Sequence, residues 1–523
     1  MKILLLNTVL VLFTLYFYKK VRNGMHILQL GHYYNEPYIQ WQEENRKNIY
    51  KISEIVLLCV PVLLLFLNQY KIAYAIEICA LLLLLITTKK RKEKKPFVKT
   101  ARVKRQYITF LLVLVAIFTI GNIYKDKITF LMVAAFSIMA YVVVLIINII
   151  NLPLEKYINN QFCKKAKKKI AELSNMDVIG VTGSYGKTST KYAVSTLLSQ
   201  VYNTYMTPGS YNTTMGVVKT VNQNINSTHQ KFVCEMGATY VGDVQEICDI
   251  VNPRYGILTA IGPQHLDTFK SIDNIKKGKM ELINSLPKDG IGFVNWEDEN
   301  IRTVDFSTAR AKIIKYGLHD DSDYYATNIE ITESGSKFDV VMPGKEPLTV
   351  KTKLLGELNI LNVVGAVAVA DKLNISREKI KAGIKYLKPV PHRLELRKHN
   401  NGAIIIDDAY NSNVKGAKMA LEVLGSFKNR KKILITPGMV SLGEKTVEYN
   451  EQFGRQAAEY ADYVILVGEK QAEPIKKGLE EEKYLDENIC VVKTLNQAFT
   501  EMNKVIDKQS VVLLENDLPD NYL

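Results

Sequence analysis

The chain has 523 residues, 47% of them hydrophobic, with 68 Lys+Arg against 53 Asp+Glu, which is room for two or three domains. The charge is uneven: residues 1–170 hold 26 basic and 8 acidic side chains, a net of +18, and the remainder holds 42 and 45, a net of −3. The positive excess belongs to the first third, so the high isoelectric point does not indicate a nucleic-acid partner for the rest. The cysteines at 59, 79, 163, 234, 248 and 490 show no CxxC spacing, hence no disulfide framework and no zinc site, in keeping with a reducing, cytosolic setting for the soluble part.

In chain order, five apolar runs come first, at 3–18, 54–69, 72–88, 107–124 and 128–151. A membrane span needs about 20 apolar residues, and residues 1–170 are expected to be a membrane region of about five transmembrane helices. The basic stretches at 19–51 and 89–105 alternate with nearly neutral loops around Lys71 and Lys125–Lys127. That asymmetry predicts an outside N-terminus and a cytoplasmic location for everything after residue 152. KKAKKK at 164–169 would lie where anionic membrane lipids attract it. Glu77 falls inside the third run, and an intramembrane carboxylate is a candidate functional group. HYYNEPYIQWQEEN at 32–45 has the aromatic content of an interfacial anchor.

Beyond residue 170, β-branched runs alternate with longer mixed segments. Strands are expected at 176–182, 231–236, 255–261, 291–296, 403–408, 431–437, 462–468 and 510–515, and helices at 187–201 and 414–427. That alternation predicts parallel α/β sheets. The strands are too many for one sheet, and PVPHRLEL at 389–396 marks a join, giving a central domain at 171–390 and a C-terminal, Rossmann-like α/β domain at 391–523.

VIGVTGSYGKTSTK places a strand, a glycine turn and a helix start in series. Backbone N–H groups at a helix N-terminus attract phosphate oxygens. Gly183, Ser184, Tyr185, Gly186, Lys187, Thr188 and Ser189 would form a loop around ATP, with Lys187 on the β/γ-phosphates and Thr188 on Mg²⁺. The spacing is G-x-x-G-K-T, one residue away from the G-x-x-x-x-G-K-[ST] pattern, because Val181 stands where the first glycine would be.

This loop resembles the ATP-binding loop of the Mur ligases, the ATP-dependent ligases of peptidoglycan precursor synthesis. Further segments resemble that family in order: CEMGATYVGDVQEI with Glu235, LTAIGPQHLDTF with His265, IKKGKMELI with Lys279, LLGELNILNVVGAVAVA with Asn359, VPHRLEL with Arg393 and IDDAYNSN with Asp408. EMGA together with DDAYNSN is nearest the branch that adds D-Ala-D-Ala to UDP-MurNAc-tripeptide. The resemblance implies Lys187, Lys279, His265 and Arg393 as catalytic residues, and Thr188, Glu235 and His265 as ligands of Mg²⁺. It also implies a carbamylated Lys279, and Asn359 and Asp408 on the adenine and ribose of ATP. Taken singly, each has a structural alternative: a strand-end carboxylate for Glu235, a loop residue for His265, a solvated helix lysine for Lys279, a helix N-terminal residue for Asp408. The ordered set favours function.

The implied reaction makes an acyl phosphate from a carboxylate, which an amine then attacks. Closure of the last domain would exclude water from that intermediate. Three departures bear on substrates. Membrane spans stand where the family has a soluble uridine-nucleotide domain, so the cell-wall acceptor is UDP-linked or lipid-linked. Leu358 replaces a histidine, and Gly438 replaces an aspartate, in segments that contact the base and choose the amino acid or dipeptide; the ending LLENDLPDNYL also differs. The alternatives are a glutamate-adding ligase of folate or polyglutamate type, and an ATP-driven membrane transporter.

Overall fold

A computed structural model describes residues 2–88, 95–124, 126–410, 413–440 and 442–517. The chain divides into two compact units, one of residues up to Asn160 and one from Gln161 onward. Residues 89–94 of the basic loop, Lys125, Asn411, Ser412, Ser441 and the last six residues of the C-terminal segment lie outside the described residues.

The first unit is helical: Lys2–Leu30, Asn35–Glu44, Arg46–Ile49, Ile52–Phe66, Tyr70–Thr87, Ala101–Tyr124, Asp126–Ile138 and the start of Ala140–Glu172. Four of these, Lys2–Leu30, Tyr70–Thr87, Ala101–Tyr124 and Ala140–Glu172, are long and apolar enough to cross a membrane. The sequence predicts about five, and the shorter apolar helix Ile52–Phe66 stands beside these four. The run at 54–69 yields a helix of only 15 residues with Pro61 inside, roughly 22 Å against a hydrocarbon core of about 30 Å. The run at 128–151 is broken at Met139 between two helices.

The first helix also continues through Lys19, Lys20 and Arg22, which the sequence reading places in a loop. Lys20 is buried. Its Nζ lies 2.5 Å from Glu54 Oε1 and 2.8 Å from the carbonyl of Ser137, at the end of a helix where carbonyls lack intrahelical partners. Arg105 forks onto Glu155 at 2.6 and 2.7 Å. Glu77 is fully buried, and neither carboxylate oxygen has a hydrogen-bond partner. Tyr38, on the short helix of the aromatic segment, donates to Tyr141 O at 3.0 Å.

The second unit contains two sheets. The first comprises β1 (Asp177–Thr182), β2 (Thr204–Met206), β3 (Lys231–Met236), β4 (Tyr255–Leu258), β5 (Ile291–Asn295), β6 (Lys312–Gly317), β7 (Tyr324–Thr332), β8 (Gly335–Met342) and β9 (Lys345–Thr352), in the order β2-β3-β1-β4-β5-β6-β7-β8-β9. The second comprises β10 (Glu395–Lys398), β11 (Ile404–Asp408), β12 (Lys431–Thr436), β13 (Tyr463–Val467), β14 (Ile489–Val492) and β15 (Ser510–Glu515), in the order β10-β11-β15-β12-β13-β14. Both are mixed, where the sequence reading expects parallel sheets: β7, β8 and β9 pair antiparallel, as do β10 and β11, and the other pairs are parallel.

The difference has a physical basis. β1 and β3 to β5 are covered on both faces and read as continuous apolar runs. β7 to β9 bury alternate residues only, so their polar half hides the strand signal. The helix Glu357–Lys372 is buried along nearly its whole length against β5 to β7 and the helix Lys187–Leu198.

Candidate active site

Topology gathers the site. β3, β1 and β4 are adjacent and parallel, in a register that aligns Val181 with Glu235 and Thr182 with Leu258. Their carboxyl ends therefore deliver the phosphate loop, Glu235 and the histidine segment to one edge, where open α/β sheets bind ligands.

The loop itself is tightly specified. Gly183 has φ 151°, and a Cβ there would lie 2.1 Å from Thr259 Oγ1 and 2.8 Å from Ala260 N, so a side chain is excluded. Ser184 is buried; its hydroxyl donates to Gly262 O at 3.1 Å and accepts from Gly262 N at 3.0 Å. Thr259 Oγ1 donates to Tyr185 O, and the Tyr185 ring covers Gly262. These bonds staple the loop to the segment leading to His265. Lys187 curls back onto the carbonyls of Gly183 and Ser184 at 2.6 and 2.9 Å. Burial, with Arg393 nearby and against the pull of Glu235, lowers its pKa to about 8. Ser189 lies half-buried on the first turn of the helix.

Glu235 is buried at the end of β3. Its Oε1 accepts from Thr188 Oγ1 at 3.2 Å and Asn212 Nδ2 at 2.9 Å. Its Oε2 faces Lys191 Nζ at 2.9 Å yet accepts no aligned hydrogen bond. His265 sits in the left-handed region at φ 56°, at the start of a short helix. Burial, then Lys187 and Lys279, push its pKa down to about 4, which keeps the imidazole neutral and able to ligate a metal. Lys279 is buried on the helix Ile272–Ser285, 3.5 Å from Ala238 O. Burial and the charge of Lys187 hold its amine well below the usual lysine range.

Among the described residues no group of three His, Cys, Asp or Glu side chains could hold a metal ion. Thr188 and Glu235 nevertheless offer the oxygen donors that suit Mg²⁺, a hydroxyl and a buried carboxylate oxygen that accepts no hydrogen bond, and His265 adds a nitrogen donor.

Arg393 is flanked by His392 (φ 60°) and Leu394 (φ 48°), two non-glycine residues in a disfavoured region. Asp407 accepts from His392 Nδ1 at 2.9 Å, and Asp408 accepts from Leu394 N at 3.1 Å, so both neighbours of the arginine are tied to β11. The Arg393 guanidinium lies 4.6 Å above the Tyr410 ring. Burial raises Asp408 to about 7 against the pull of Arg393.

Asn359 donates to Leu355 O at 2.8 Å. Asn362, which the sequence reading passes over, faces the phosphate loop and accepts from Thr190 Oγ1 at 2.9 Å. Lys191 and Asn212 were also missed. Only the i, i+4 spacing of Lys191 from Lys187 hinted at a shared helix face. Leu358 packs on the apolar core. A Cβ at Gly438, which has φ 78°, would meet Asn450 Oδ1 at 2.7 Å, so an aspartate there would be strained and would displace Asn450.

The profile described as Mur ligase middle domain matches residues 181–370, and that described as Mur ligase, glutamate ligase domain matches residues 392–515. The UDP-N-acetylmuramoyl-tripeptide–D-alanyl-D-alanine ligase of Buchnera aphidicola is 32% identical over 285 residues, which is 54% of this chain and 61% of that enzyme. The chain thus spans less than two thirds of that relative's length. Among solved structures, MurF from Acinetobacter baumannii matches with a TM-score of 0.63 and 25% identity, covering 70% of this chain and 78% of that one. MurF from Thermotoga maritima in complex with ADP matches at 0.62 and 25%, covering 69% and 80%. By the two profiles, which together cover more than half its length, the chain belongs to the Mur ligase family.

Proposed function

We propose that this protein is a membrane-associated, ATP-dependent ligase that joins a cell-wall peptidoglycan precursor carboxylate to an amine, MurF-like in its chemistry. The observation that carries the reading is the convergence of Lys187, Thr188, Glu235, His265 and Lys279 on one sheet edge, with Arg393 close enough to affect the charge of Lys187. Lys187 is held by the carbonyls of Gly183 and Ser184, which leaves it able to turn to a phosphate. Both matching profiles are ligase domains, which favours a ligase over a transporter.

In this mechanism Lys187 leaves the loop carbonyls for the β- and γ-phosphates, and the loop N–H groups hold the phosphate oxygens. Thr188, Glu235 and His265 would hold Mg²⁺, which supplies charge neutralisation between the γ-phosphate and the acceptor carboxylate. Lys279, as a carbamate, would add an anionic oxygen to that set. Arg393 clamps phosphate, and Asp408 and Asn359 take the ribose and adenine. The acceptor carboxylate attacks the γ-phosphate, ADP leaves, and the amine displaces phosphate from the acyl phosphate.

A lipid-linked acceptor is a second reading, favoured by the four spanning-length helices that precede the ligase domains. Phosphate release from ATP by the detergent-purified protein, with UDP-MurNAc-tripeptide and D-Ala-D-Ala added singly and together, tests the proposal. Release that needs both, with a product heavier by the dipeptide, is expected for the MurF-like pair. Silence in protein that binds ATP rules that pair out and directs the assay to lipid-linked acceptors.

A further inference from the structure

Lys191 is placed where the mechanism above gives it no role. It lies one turn beyond Lys187 on the same helix, its side chain is 0% exposed, and that of Glu235 is 1% exposed. An ammonium and a carboxylate this enclosed are each prohibitively costly alone, and each needs the other. The pair is nevertheless loose in one respect. Nζ stands 2.9 Å from Oε2, but Oε2 accepts no aligned hydrogen bond. The directional bond of the ammonium goes to Gly209 O at 2.5 Å. Lys191 can therefore give up the carboxylate and keep a backbone acceptor.

We propose that Lys191 is the resident counter-cation of Glu235, neutralising the buried carboxylate until a divalent cation takes its place. The proposal rests on the nucleotide–metal reading of the site and adds to it how the metal enters. The metal-free fold stays stable because an internal cation balances Glu235. A metal must then compete with that cation, and a monovalent ion offers no more charge than the lysine already supplies. Glu235 stays aimed at the phosphate loop meanwhile, since Oε1 is held by Thr188 and Asn212.

The test uses the full chain in detergent with Lys191→Met, which keeps the length of the side chain and removes its charge. Mn²⁺ binding is followed by electron paramagnetic resonance with and without ADP, and thermal unfolding in EDTA and in Mg²⁺. The variant is expected to bind Mn²⁺ at least about tenfold more tightly than wild type, since the competing charge is gone. It should unfold at a lower temperature in EDTA and recover more than wild type does on adding Mg²⁺. Unchanged or weaker Mn²⁺ binding overturns the proposal. So does a variant unfolded equally in EDTA and in Mg²⁺ with ADP, the mark of a purely structural lysine. A wild-type protein that binds neither Mn²⁺ nor ADP overturns the metal–nucleotide reading underneath, and the proposal with it.

Discussion

Lys20 in the apolar-helix unit and Lys187 in the ligase unit are both enclosed lysines, and their surroundings differ. Lys20 meets a carboxylate, Glu54, and a helix-end carbonyl. Arg105 likewise meets Glu155. In that unit these two cations are each paired with a carboxylate, whereas Glu77 is buried with no hydrogen-bond partner among the described residues. Among the described residues Lys187 has only loop carbonyls for hydrogen-bond acceptors, and it raises the cost of charge on His265 and Lys279. Lys20 is matched by a carboxylate within the protein, whereas Lys187 is held by neutral carbonyls, as suits the phosphate-binding role proposed for it. Lys191 stands between the two cases, paired with Glu235 but loosely.

Removing one member of a matched pair should have the largest effect. Glu54→Ala leaves Lys20 unpaired in an apolar setting and should cost about 3–5 kcal/mol, read as a lower unfolding temperature in detergent; Lys20→Met with Glu54→Leu should recover most of it. A double variant as unstable as the single one would break the matched-charge account. Lys187→Ala should leave folding intact and lower kcat/KM by about 10²–10³; ligation at the wild-type rate would remove the loop from the chemistry. Lys279→Ala should lose about 10²-fold, with partial recovery on adding formate or acetate; no recovery would leave the carbamate without support.

The pH dependence of nucleotide binding sharpens the contrast. Lys187 grips phosphate when protonated, and its pKa in the unliganded protein is lowered to about 8. ADP affinity should therefore hold at pH below 8 and fall as pH rises through about 8, by up to about tenfold per unit. Titration calorimetry of wild type beside Lys187→Arg would show it, because arginine stays charged; a limb that persists in the arginine variant belongs to another group. The smallest effect is expected at the surface. Arg430 forks onto Glu333 at 3.0 and 3.1 Å, both partly exposed, and Arg430→Ala should cost no more than about 1 kcal/mol by urea unfolding.

The sequence by itself determined the elements whose signal is local. The strands ending at Thr182, Met236 and Glu515 fall where apolar runs place them, because strands covered on both faces read as continuous hydrophobic stretches. The phosphate loop was legible because a strand, glycines and a helix-opening Lys-Thr follow each other directly. The site residues proposed at Glu235, His265 and Lys279 stand out in the sequence only as an ordered set.

What the tertiary structure decided is non-local. β7 to β9 turn antiparallel, and their half-exposed faces dilute the apolar pattern. Lys20 moves from a loop cation to a buried ion pair because its helix runs on to Leu30 and meets Glu54. Asn362 reaches the phosphate loop from 172 residues away. Lys191 finds Glu235 because β1 and β3 lie side by side, in register. Composition and spacing state which groups a chain owns; burial and register decide which of them face each other, and so which charges are matched and which are held for a ligand.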